Sequence, residues 1–80
     1  QPLSMLAEVA GLLGRHPHVQ LFVELKRISI DHFGLDTVLA QVSRALWDIE
    51  DQCVLISSSP DILIEARQQG WRTGFILKHR

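Results

Sequence analysis

Leu21-Phe22-Val23-Glu24-Leu25-Lys26 sets a carboxylate and an ammonium two residues apart in a run that is otherwise apolar. Side chains two apart in a strand point to the same side, so Phe22, Glu24 and Lys26 share one face and Leu21, Val23 and Leu25 the other. A parallel strand covered on both faces reads as nearly continuous apolar sequence. Two same-face charges at its C-terminal end therefore point to a polar cavity or to the ligand-binding end of a sheet. Carboxylate oxygens are ligands for hard cations, which makes Glu24 a candidate metal ligand. A lysine ammonium is a compact point charge that balances negative charge on a ligand, which makes Lys26 a candidate anion contact. Taken alone, the triplet also reads as a solvated charge pair of little consequence.

Other residues are weighed against that pair. His32 lies in the segment after the Glu24 strand, on the side where ligands bind, and is a candidate substrate contact. His16-Pro17-His18 falls in a helix-to-strand turn, the opposite end, and reads as solvated histidines. Ser57-Ser58-Ser59 ends a strand with three hydroxyls but has no base beside it and no nucleophile-elbow glycines, so helix capping by Ser59 is the preferred account. Trp47 and Trp71 read as packing residues. Arg27 and Lys78, just past strand ends, are either solvated charges or a positive rim for an anion.

The elements that must position these groups follow from periodicity. Ser4 caps a helix over residues 4–13, with Gly14 as its left-handed stop. Val19 to Lys26 reads as a buried strand, followed by a loop through Ser29, Asp31 and Gly34. Leu35, Val38, Leu39, Val42, Ala45, Leu46 and Ile49 form one helical stripe that packs on a sheet. Cys53-Val54-Leu55-Ile56 is short and uniformly apolar, a second strand over 53–58. Pro60 opens a helix that stops near Gly70, with Asp61 at its positive end. Thr73 to Lys78 is the third strand. The order is αβαβαβ, and a helix in each connection is what parallel neighbours require. Three such strands leave open edges and one uncovered face, as expected of part of a larger sheet or barrel, and such edges favour pairing into a homo-oligomer.

Composition narrows the function. The 80 residues make one unit at most, and a formal net charge of -1 with dispersed Lys and Arg argues against nucleic acid as a partner. The single cysteine, Cys53, forms no internal disulfide and fits a reducing compartment. No run is apolar and long enough for a transmembrane helix, and the chain opens without a basic, hydrophobic leader, so the expected location is cytoplasmic.

Several segments together resemble the glycerophosphodiester phosphodiesterases: Leu6-Ala7-Glu8-Val9, Phe22-Val23-Glu24-Leu25-Lys26, Val54-Leu55-Ile56-Ser57-Ser58, Asp61-Ile62-Leu63-Ile64-Glu65-Ala66-Arg67 and Gly74-Phe75-Ile76-Leu77. The resemblance covers most of the chain in order, and the Glu-Leu-Lys strand is its most specific part. It implies a segment of a (β/α)8 TIM barrel, with residues 1–80 spanning the third helix through the sixth strand. It also implies hydrolysis of glycerophosphodiesters to glycerol 3-phosphate and an alcohol such as choline or ethanolamine, assisted by Mg2+ or Ca2+. Glu24 matches the family's metal-binding glutamate and Lys26 its phosphate-facing lysine. The family's His-Arg-Gly, Glu-x-Asp and second histidine do not occur in these residues, so the segment alone is expected to be inactive. Two departures stand out: Ser59 where the family has an aromatic residue, and Ser4-Met5 in place of Pro-Thr. The alternative is a non-catalytic α/β module that binds or scaffolds.

Overall fold

The computed structural model describes residues 2–77. Lys78, the expected end of the third strand, lies outside them. Helix α1 (Pro2–Leu13) leads into strand β1 (Leu21–Glu24), helices α2 (Arg27–Phe33) and α3 (Leu35–Leu46), a 3-10 segment (Trp47–Gln52), strand β2 (Cys53–Ser57), helix α4 (Pro60–Gln68) and strand β3 (Thr73–Phe75). The three strands form one parallel sheet in the order β1-β2-β3. Leu21 pairs with Cys53 and Glu24 with Ile56, while Leu55 pairs with Thr73 and Ile56 with Gly74.

Each strand lies beside its predecessor and is reached through helical structure. Crossovers of one hand then carry every helix to the same face. The core agrees, since one cluster joins Leu13 of α1, Ile30 of α2, Leu39, Val42 and Leu46 of α3, and Ile62 and Ala66 of α4 to Cys53 and Leu55 of β2. Leu21 and Val23 pack against this cluster from β1. The opposite sheet face carries Phe22, 57% exposed, with the half-buried Val54 and Ile56. Gly74 belongs to that face: a Cβ there would stand 3.2 Å from Ile56 Cγ2 and 3.7 Å from Val54 Cγ1, so Ile56 leans over the space a side chain would take.

The structure corrects several local expectations. The segment after β1 is not a loop, because Ile30 enters the core and draws residues 27–33 into helix α2. Gly34, at φ 87°, then separates α2 from α3, a backbone conformation that side chains rarely adopt. Ser4 is not a cap, since α1 already begins at Pro2. Gly14 is not left-handed: its N–H donates to the Ala10 carbonyl at 3.0 Å, and the positive φ angles among the described residues belong to Gly34 and Gly70. Helix α3 ends at Leu46 rather than Ile49, although Ile49 stays fully buried within the 3-10 segment. Trp47 does not pack but stands 73% exposed, because the buried stripe passes through Leu46 and Ile49 on either side of it. Trp71 does pack, at 5% exposed. Cys53 is buried, and that burial pushes its thiol above the ordinary value of 9.0.

Candidate functional site at the C-terminal ends of the strands

The site is built on the end of β1. Phe22 and Glu24 are exposed while Leu21 and Val23 are half-buried, the alternation of a strand covered on one face. The chain stays extended beyond the strand: Leu25 is buried and its N–H donates to the Ile56 carbonyl at 2.8 Å, and Lys26 has φ -83° and ψ 136°. Alternation therefore continues through Lys26, which is exposed like Glu24. The Lys26 carbonyl accepts from the N–H groups of Ser29, at 3.1 Å, and Ile30, at 3.2 Å, and so opens α2. The lysine backbone is thus tied on one side to β2 through Leu25 and on the other to a helix.

The neighbouring turn, from β2 to α4, is organised differently from expectation. Ser59 occupies the N-cap position, yet its side chain makes no capping bond. Its carbonyl accepts from Ile62 at 3.2 Å and Leu63 at 3.3 Å, while its own N–H donates to Ser57 Oγ at 3.1 Å. Ser57 is 2% exposed, so that hydroxyl shapes the turn from inside rather than facing a ligand. At the start of α4, Asp61 receives Arg27 Nη2 at 3.1 Å on one carboxylate oxygen and 3.4 Å on the other. This ion pair joins the first turn of α2 to the first turn of α4, across the ends of β1 and β2.

His32 lies in α2, exposed, with its ring edge-on to Phe33 at 4.5 Å between centroids. Its recorded ring contact is thus with its sequence neighbour. His16 and His18 are exposed in the turn at the other end of the sheet. Among the described residues no three His, Cys, Asp or Glu side chains gather as a metal-holding group. Glu24 offers one carboxylate, at most two oxygens, and a hard cation takes about six or more, so these residues by themselves do not make a cation cage.

The N-terminal ends of the strands carry an open depression of about 600 Å³ between Trp47, Asp48, Glu50, Asp51, Gly70 and Arg72. Arg72 donates there to the Asp51 carbonyl. This is the end of a parallel sheet at which α/β proteins do not place their ligands. Two features of the molecule had no local sign in the sequence. One is the Arg27–Asp61 pair; the other is Gln52, 7% exposed, whose amide nitrogen serves three backbone carbonyls.

Comparison with protein-family models, with curated proteins and with solved structures finds no match for this chain. No helix of the described residues is long and apolar enough to cross a membrane.

Proposed function

We propose that this chain is a segment of a (β/α)8 barrel that hydrolyses glycerophosphodiesters, with Glu24 as one ligand of a divalent cation and Lys26 facing the phosphate. The observation that carries the reading is the alternation through residues 22–26, which leaves Glu24 and Lys26 together on the helix-free side at the C-terminal end of β1. That side of a barrel strand faces the interior, and that end is where barrel enzymes assemble their sites. The sheet fits the reading in a second way. Sequential parallel strands with one helical layer leave Phe22, Val54 and Ile56 on a bare face, which in a closed barrel is filled by the other strands. Phe75 and Leu77, exposed at the β3 side, suit a sheet that continues.

A phosphodiester resists attack because its anionic oxygens repel the incoming water. A divalent cation, for which Glu24 would be one ligand and the rest of the barrel would supply the others, would provide the neutralising charge. Lys26 adds a second positive charge, effective where charge grows on the phosphoryl oxygens as water adds and the alcohol leaves. Its backbone, pinned between β2 and α2, fixes where the lysine stem begins.

The test is hydrolysis of glycerophosphocholine by the full-length barrel that contains this segment, and by two variants of it, under saturating Mg2+ or Ca2+. Glu24→Gln removes ligand charge at constant volume and is expected to abolish metal-dependent turnover while the fold survives. Lys26→Met keeps the stem's bulk and is expected to lower kcat more than metal affinity. If both variants turn over at the parent rate, the Glu-Leu-Lys strand is scaffold and the module reading takes its place.

A further inference from the structure

We propose that Arg27 is a second anion ligand beside Lys26, held in reserve by Asp61 and exchanged from carboxylate to phosphate oxygen when the substrate arrives. The inference rests on the phosphate reading of Lys26 and adds a residue to it. Arg27 follows Lys26 directly and opens α2 at the same end of the sheet. Its guanidinium reaches across to the first turn of α4, over the ends of two adjacent strands. The contact to Asp61 uses a single terminal nitrogen on both carboxylate oxygens, at 3.1 and 3.4 Å, not the two-nitrogen fork that makes such pairs strong.

The pair is also accessible, with the arginine and aspartate side chains 50% and 66% exposed. An ion pair at such exposure holds weakly, so a competing anion can displace the carboxylate. A phosphate offers the guanidinium a better partner than one carboxylate, because planar arginine binds phosphate oxygens through two parallel bonds. The exchange breaks the Arg27–Asp61 contact and forms an Arg27–phosphate contact, with no covalent change. It leaves the Asp61 carboxylate at the positive end of α4, where the helix dipole and solvent support it.

The exchange has a signature that simple proximity of charge lacks. Inorganic phosphate is titrated at neutral pH and fixed ionic strength into the parent, Arg27→Gln, Asp61→Asn and the double variant, with melting temperatures as the check on folding. Arg27→Gln should weaken phosphate binding about threefold to tenfold, the value of one hydrogen-bonded contact at an exposed site. Asp61→Asn should tighten it about twofold to fivefold, because the competitor for Arg27 is gone. In the Arg27→Gln background the same Asp61→Asn change should have almost no effect. Arg27→Lys, which keeps the charge without the fork, should fall between parent and Arg27→Gln.

Asp61→Asn acting equally in both backgrounds shows a remote charge effect and overturns the proposal, as does an Asp61→Asn variant that binds phosphate more weakly. Lys26→Met separates this failure from that of the underlying reading. If it leaves phosphate affinity at the parent level, the phosphate site itself falls, and Arg27 with it. If it weakens binding while the cycle is additive, only the Arg27 inference fails.

Discussion

The two ends of this parallel sheet are built from opposite materials. At the N-terminal end, a polar side chain is buried and saturated: Gln52 Nε2 donates to the carbonyls of Leu13 at 3.2 Å, His16 at 3.0 Å and Val19 at 2.9 Å. That one amide gathers the connection between α1 and β1, and the buried Trp71 and Ile49 accompany it. At the C-terminal end the polar groups are exposed: Glu24, Lys26 and the Arg27–Asp61 pair stand at the surface over short turns. A buried, fully used polar group stabilises, because leaving its partners unpaired costs far more than the bond contributes. An exposed polar group stabilises little, because water competes for it in the folded state. The sheet thus keeps its buried polar bonds at one end and its exposed charges at the other, the division that the proposed barrel reading expects.

Substitutions at the buried end should have the largest effects. Trp71→Ala removes a large side chain from the core and its loss should cost about 3–5 kcal/mol, read from urea denaturation of parent and variant. A loss under about 1 kcal/mol would mean that the turn before β3 repacks freely and is not a fixed part of this end. Gln52→Ala should cost about 2–3 kcal/mol, since the three carbonyls lose their donor and water reaches them incompletely. It should leave phosphate affinity unchanged. A variant with parent stability would break the contrast between the ends at its strongest point.

At the open end the balance reverses. Lys26→Met should shift stability by no more than about 0.5 kcal/mol in the same denaturation experiment, because an exposed side chain without a buried partner contributes little. On the proposed reading, its effect should fall on ligand binding and turnover. A destabilisation comparable to that of Gln52→Ala would show that the lysine serves the fold, and the two ends would no longer differ in kind.

What could be read from the sequence follows the same division. The strands and the α3 stripe were legible because burial of one face imposes a local period: alternation through Leu21, Val23 and Leu25, and helical spacing through Leu39, Val42 and Leu46. The exposure of Glu24 on the helix-free face follows from that alternation. Helix α2 was hidden because Ser29 and Asp31 favour turns locally, and only the burial of Ile30 against distant residues outweighs them. Gln52 gave no signal, since its acceptors lie 33 to 39 residues away and nothing in Asp51-Gln52-Cys53 marks an amide that will be buried. Asp61 looked explained by its place at a helix start, which concealed a partner 34 residues earlier. Pairing across elements is a property of the closed fold, and short-range pattern carries none of it.

The smallest expected effect sharpens the comparison most, because its pH dependence has a determined sign. The hydrogen bond from Arg27 holds the Asp61 carboxyl below its ordinary value of 3.8, with desolvation acting against it and the guanidinium charge adding to it. A carboxyl depressed in the folded state contributes stability that is present above the unfolded value and lost as pH falls through the folded one. The parent should therefore melt slightly above Asp61→Asn at neutral pH, and the gap should close as pH falls below 3.8. Raising the salt to about 1 M at neutral pH should narrow the same gap, since screening acts on exposed charge. The deficit of Gln52→Ala has no titrating group behind it and should persist across the same acid range. Calorimetric melts of parent and both variants from neutral pH into this acid range decide the matter. A gap for Asp61→Asn that survives full protonation would mean that the pair stabilises by packing or hydrogen bonding rather than charge, and the open end would then share the character of the buried one.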